Sequence, residues 1–292
     1  MQLKITGVLL FCLLSFGLQA QLRYGFKTGL NFSRFSAPSE QDANGKDLET
    51  FENITGFHIG MSFGYNFTDH FGVRGELLYS KKGVKYSFDG PSFRVFRYDG
   101  GRTITTGNSK YLLKINNAYF DLPVMAFARF GDFEVSGGVY GSVLVQTLGE
   151  GSLSYTGGKT AAPLNNPVAD VEYNLSYNYR RDDPGQGIGT DQLLVKVDAR
   201  NIQMPKTLGA YYDFPDSNNK AFNNFDYGLI GGVAYYLSSS LYAGVRVQYG
   251  LADLTNNSAD ASKVSLDNTG SFRFLSDQDR NFQIQASVGF SF

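Results

Sequence analysis

Few residues in this chain of 292 could carry chemistry. There are two histidines, His58 and His70, and one cysteine, Cys12. Cys12 lies in an apolar N-terminal stretch, so the chain beyond it has no thiol for a disulfide, a redox couple or a metal site. A histidine with a carboxylate and a hydroxyl at the same height could run acid–base or nucleophilic chemistry. His58 lies on a face that also carries charges, but no second motif supplies its partners, so it is expected to be structural. His70 falls in a short polar turn and is expected to be solvated. No His/Cys/Asp/Glu cluster has metal-ligand spacing, and no glycine-rich phosphate loop precedes a helix. No catalytic residue, metal or cofactor is therefore expected, and the chain does not read as an enzyme. The remaining candidates are charges at alternate positions: Arg23, Lys27, Arg74, Glu76, Asp121, Glu134 and Arg246. They sit on one side of the segments that hold them. Buried together they would have to pair, because an isolated buried charge is too costly. Their expected role is an ion-pair plug.

The segments that must position them share a period of two. From Leu22, the apolar set Leu22, Tyr24, Phe26, Leu30 and Phe32 alternates with Arg23, Gly25, Lys27, Gly29, Asn31 and Ser33. The same alternation recurs at 57–67, 71–80, 118–126, 133–145, 227–237, 241–249 and 281–292. Successive side chains of a β-strand point to opposite faces, so each segment has one bulky apolar side and one small or polar side. Short links at 68–70, 131–132 and 238–240 alternate with long polar links at 36–56, 89–110, 149–226 and 253–279. Composition agrees: 34 Gly, 25 Phe and 19 Tyr, no Trp, and only 18% charged residues. A net charge of −1 without a basic run argues against a nucleic-acid partner.

Residues 1–20 read as a secretory signal peptide. Lys4 precedes an apolar core from Ile5 to Leu18, and cleavage is expected after Ala20. The rest of the chain, 21–292, reads as one domain. A soluble eight-stranded barrel would fill its interior with the bulky face and turn the polar face to water. Here the Gly/Ser-rich face suits a narrow lumen and the Phe/Val/Leu/Tyr face suits lipid, with aromatics gathered near both strand ends. The expected fold is all-β: an eight-stranded antiparallel up-and-down transmembrane β-barrel with long extracellular loops. Outer-membrane lipid is then its surroundings, and an even strand count with short turns on one side leaves both termini periplasmic.

Three stretches resemble the PorT-like outer-membrane β-barrel family of Bacteroidetes. They are Gly25-Phe26-Lys27-Thr28-Gly29-Leu30-Asn31-Phe32-Ser33, Ala118-Tyr119-Phe120-Asp121-Leu122-Pro123-Val124, and Gly137-Gly138-Val139-Tyr140-Gly141. The resemblance implies fold and outer-membrane location. It implies function only loosely, one branch of the family being tied to protein secretion. The link 149–226 is long for a compact member. It contains two alternating runs, 171–179 and 193–197, which are expected to form a protruding hairpin rather than a ninth and tenth membrane strand. Tyr173, Tyr177 and Tyr179 on one side of it are expected to form an exposed recognition surface for a protein partner. The favoured reading is a non-enzymatic scaffold or recognition protein; the alternative is an enzyme acting on lipid or peptide at the barrel mouth.

Overall fold

The computed structural model describes residues 22–214 and 218–292. The signal-peptide reading lies outside the described residues. Fourteen strands appear: β1 Leu22–Ser36, β2 Glu49–Glu52, β3 Ile54–Asn66, β4 Phe71–Tyr98, β5 Gly101–Phe130, β6 Phe133–Thr160, β7 Val171–Asn178, β8 Gly187–Val197, β9 Arg200–Leu208, β10 Phe225–Tyr236, β11 Leu241–Gly250, β12 Ala261–Leu266, β13 Phe272–Phe274 and β14 Arg280–Ser291. Eight of them close a ring of antiparallel ladders, in the order β1, β3, β4, β5, β6, β10, β11, β14 and back to β1. A closed ring leaves no open edge, which is what a sheet needs in order to cross lipid. The two alternating runs of the long link form β7 and part of β8, and neither enters the ring.

Which side faces outward decides the environment. Phe63 is 50% exposed and Val245 is 49% exposed, as are their bulky neighbours around the ring. Lys27, Glu76, Asp121, Glu134, Arg246 and Gln285 are buried on the inner side. The barrel is apolar outside and polar inside. Its apolar band is bounded by aromatic pairs: Phe57–Tyr79 and Tyr79–Phe120 toward one end, Tyr65–Phe67 and Phe133–Tyr235 toward the other. The ten steps from Phe57 to Phe67 correspond to roughly 25 Å of height for a strand rising ~3.3 Å per residue at a tilt of ~40°. Just past the first belt, the outward side changes to exposed Lys81, Lys85, Asp89, Lys110 and Lys114. Lys81 folds its ammonium over the Phe57 ring at 5.7 Å, as a lysine at a lipid–water boundary does.

Beyond that boundary the barrel continues as a head. β4, β5 and β6 run 28, 30 and 28 residues, far more than a membrane crossing uses. The link 89–110, expected as a loop, is instead strand: β4 and β5 pair without a break to the turn at Asp99–Gly100. Gly90-Pro91 reads locally as a turn signal. Pro91 is tolerated because β2 pairs β4 only as far as Phe88, so that edge needs no donor at residue 91. Gly100, with φ of 86°, makes the tight reversal that the sequence at 99–100 encodes. The stretch 149–226 likewise begins as strand, with β6 ordered through Thr160.

Inside the head the inner side changes chemistry. Along β4 it passes from Arg74, Glu76 and Lys82 to Val84, Tyr86 and Phe88, and along β5 from Asp121 to Ile115 and Leu113. β6 does the same by a different device. The ladder with β5 skips Val145, so Ser142 and Leu144 face inward below the bulge and Thr147, Leu153 and Tyr155 above it. β2, β7, β8 and β9 then pack around a core that includes Phe88, Phe96, Leu153, Tyr173, Val195 and Met204. Tyr173 is 0% exposed, so it belongs to the core and not to the expected recognition surface.

The two faces predict different sensitivities. Val124, 58% exposed, pairs with Gly75 midway between the belts. Val124→Arg should destabilise the barrel by about 2–4 kcal/mol in urea unfolding from lipid vesicles, the cost of a cation at the bilayer midplane. Leu112→Arg, on the outward side of the head, should change the midpoint little.

Candidate functional site

The lumen and the head each gather polar groups. In the lumen, Glu76 accepts from Arg246 Nη1 at 2.6 Å and from Lys27 Nζ at 3.4 Å. Arg246 Nε also donates to Gln285 Oε1. Arg74 grips Glu134 through two bonds of 2.7 and 2.8 Å, and Tyr236 donates its hydroxyl to the same carboxylate at 3.0 Å. Lys82 reaches Asp121 at 3.1 Å and Asp226 at 3.9 Å, with its ammonium 4.5 Å from the Tyr119 ring centre. Ser142 donates to Asp121 at 2.6 Å and Asn281 to Asp226 at 2.7 Å.

Six of the lumen charges expected from the sequence, Lys27, Arg74, Glu76, Asp121, Glu134 and Arg246, thus take part in ion pairs. Arg23 is half-buried and makes no ion pair among the described residues. Sequence reading missed Lys82 and Asp226 because both fall at the margins of stretches that look like loops. The signal is present nonetheless: Lys82 shares the even face of β4 with Arg74 and Glu76. With them, four cations (Lys27, Arg74, Lys82, Arg246) face four carboxylates (Glu76, Asp121, Glu134, Asp226). Between Lys27, Arg74, Glu134 and Ser287 a cavity of only 30 Å³ remains, room for about two waters at ~10–15 Å³ each.

His58 has more partners than the sequence suggests. It is 0% exposed, with Nδ1 2.7 Å from Asn31 Oδ1 and Nε2 2.9 Å from Ser287 Oγ. Asn31 is itself fixed by donating to Ser80 Oγ and to the carbonyls of Phe57 and Lys81. That orientation makes Nδ1–H the donor to Asn31 and leaves Nε2 to accept from the Ser287 hydroxyl. A hydroxyl–imidazole–amide chain has the connectivity of an activated nucleophile. Ser287, however, is 7% exposed, and the lumen void that it lines is 30 Å³. The chain ties the neighbouring strands β14, β1 and β3 along the lumen wall. His70, by contrast, is exposed in its turn.

The head holds the larger space, a cavity of about 220 Å³ lined by Tyr86, Tyr111, Tyr177 and Tyr179 among other aromatic rings. Tyr177 and Tyr179 are half-buried in its wall rather than displayed outward, with ring centres 5.4 Å apart. Tyr179 also meets Phe222 edge-on at 4.9 Å, and its carbonyl accepts from the Tyr211 hydroxyl at 2.6 Å. Burial pushes the Tyr177 and Tyr179 hydroxyls well above their ordinary value, so both stay neutral donors. Arg94, 2% exposed, pairs with Asp213 at 3.0 Å and lies over the Tyr173 ring. Its Nε and Nη2 have no hydrogen-bond partner. Elsewhere on the wall Asp260, Asp277 and Asp279 bring carboxylate oxygens within 4.8 Å of one another, the one such trio among the described residues. Burial, reinforced by like charges, raises Asp279 to about 7, against a hydrogen bond from Thr255. Burial likewise raises Asp260 to about 6.

A closed ring, apolar outside and ion-paired within, is the form of a protein that crosses an outer membrane on strands. The outer membrane protein β-barrel domain model matches residues 19–256, and the chain belongs to that family. Among solved structures it is similar to Ail, the attachment invasion locus protein of Yersinia pestis, at 12% identity over 93% of this chain and 99% of that one, with a TM-score of 0.33. It is similar also to OprG of Pseudomonas aeruginosa, at 11% identity over 94% and 97% with a TM-score of 0.31. The outer membrane protease OmpT of Escherichia coli aligns at 8% identity over 94% and 97% with a TM-score of 0.29. No curated protein matches the sequence.

The lumen and the head can be probed separately. Arg74→Ala should destabilise the barrel by roughly 3–5 kcal/mol, because it strands Glu134 unpaired in the lumen. Lys85→Ala, which removes an exposed pair with Glu52, should change stability by about 0–1 kcal/mol; heat-modifiable gel mobility compares the two. The head should respond to pH. Carboxyl groups raised in the folded head contribute stability that is whole below their unfolded value of about 3.9 and is lost as pH rises through about 6 and 7. Amide exchange in 261–279 should therefore show more protection at pH 4 than at pH 8 after correction for intrinsic rates, and Asp277→Asn should flatten the difference.

Proposed function

We propose that this protein is a non-enzymatic surface-recognition protein, in which a closed barrel anchors a binding head outside the cell. The observation that carries the reading is a contrast of volumes. The lumen retains 30 Å³ amid paired charges, while the head encloses about 220 Å³ lined by aromatic rings. A lumen so filled serves neither as a channel nor as a reaction chamber, whereas a concave, largely apolar site with a few polar groups is the ordinary form of a ligand site.

The orientation is argued from the ends of the barrel. Both described termini meet at the short-turn end, where Phe292 N donates to the carbonyl of Tyr24 at 2.7 Å. In outer-membrane barrels short turns are periplasmic and long connections extracellular, so the head is read as extracellular and the termini as periplasmic. A protein partner would engage this same head. The role in secretion implied by the PorT-like resemblance rests on strand segments inside the barrel and gains nothing from the head.

Proteinase K added to intact cells should cut the protein within the 161–170 connection and leave a membrane-protected barrel. The purified protein should give no steady conductance in a planar bilayer. Protection of the head in intact cells, together with cleavage after the outer membrane is opened, would reverse the orientation. A stable ion conductance would end the account of a closed lumen.

A further inference from the structure

The head cavity has a wall chemistry specific enough to name a ligand class. Arg94 reaches it from the inner side of β4, is 2% exposed, and leaves Nε and Nη2 without partners. A buried, unpaired guanidinium edge costs free energy unless an acceptor meets it. On the same cavity lining, the buried Oδ1 of Asp277 is also without a partner, and it needs a donor. The rings of Phe51, Tyr86, Phe93, Tyr111 and Tyr177 line the cavity with them.

Charge narrows the choice. Two cations on the wall, Arg94 and Lys263, stand against five carboxylates, Glu49, Asp213, Asp260, Asp277 and Asp279. An anion would meet excess negative charge. A simple cation would leave the Arg94 donors unmatched. A neutral molecule whose hydroxyls both donate and accept satisfies both ends, and its ring faces can lie against the aromatic walls. At about 220 Å³ the cavity is many times the ~10–15 Å³ that admits one water, a scale suited to one or two sugar rings.

We propose that the head cavity is a binding site for a neutral saccharide of one or two pyranose rings, with its hydroxyls accepting from Arg94 and donating to Asp277 and its ring faces stacked on Tyr86, Tyr111 and Tyr177. This deepens the surface-recognition reading and rests on it only for access from outside; binding to the purified protein does not depend on orientation.

The test uses the full folded protein in lauryldimethylamine oxide, because sugar-headed detergents would compete. Saturation-transfer NMR and titration calorimetry are run with glucose, galactose, mannose, N-acetylglucosamine, maltose and cellobiose at up to tens of millimolar. Benzoate and L-phenylalanine represent the anionic and zwitterionic classes. At least one sugar should bind. Arg94→Lys, which keeps a cation beside Asp213 but removes the fork, should weaken it about tenfold or more. Asp277→Asn supplies a second reading if Arg94→Lys loses its folded gel mobility, and it too should weaken binding, while Glu52→Gln on the outward side should not. If no sugar binds, if both cavity variants bind as well as the parent, or if benzoate or L-phenylalanine binds instead, the saccharide assignment is overturned. Should that happen while proteinase K still finds the head outside, the recognition reading stands without it.

Discussion

The structure depends on matching charge inside a narrow lumen. Eight strands leave an interior that side chains must fill, and the alternation that presents Phe, Val and Leu to lipid sends the intervening residues inward. Here those include four cations, which water cannot solvate in the space left. Glu76, Asp121, Glu134 and Asp226 face them from β4, β5, β6 and β10. The network is therefore also a lock across the ring: Arg74 joins β4 to β6, and Glu76 joins β4 to β1 and β11. The chain of Asn31, His58 and Ser287 adds a neutral tie between the neighbouring strands β1, β3 and β14.

The same strands then do the opposite above the membrane. Once the outward side meets water it becomes charged, and the inward side becomes apolar, so one ladder serves as a barrel below and a hydrophobic core above. β6 needs a bulge at Val145 to make this change, because its apolar residues would otherwise continue on the outer side. Building the head on strands continuous with the barrel gives its cavity rigid walls. Arg94 is held between Asp213 and the Tyr173 ring, and Tyr173 is in turn fixed by a hydrogen bond from its hydroxyl to Met204 sulfur.

How much of this was legible depends on what local pattern can encode. The eight ring strands, their short turns and the inward charges are all period-two signals, and each is readable from one segment at a time. Lys82 and Asp226 are readable by the same parity once the strands are extended far enough. The head is not. Gly90-Pro91 looks like a turn unless one knows that β2 ends opposite Phe88, and Tyr173 looks like its neighbours Tyr177 and Tyr179 until β9 is laid beside it. Ser287 and Asn31 flank His58 only because ring closure brings β14 against β1 and β1 against β3. Pairings that depend on closure, or on which strand covers which, leave no trace in a single segment. The enzyme alternative turns on that point: a hydroxyl does converge on His58, beside a lumen void of 30 Å³.

Because Cys12 is the only cysteine and lies in the N-terminal apolar stretch, single cysteines can report access directly. The decisive measurement is the labelling rate of Ala259→Cys, in the head cavity, against Ser287→Cys, in the lumen, with a membrane-impermeant maleimide on intact cells. A binding head above a closed barrel predicts rapid labelling at residue 259 and none at residue 287 until the protein is unfolded. Comparable labelling at the two positions would mean that the lumen is open to the outside, and would contradict the account.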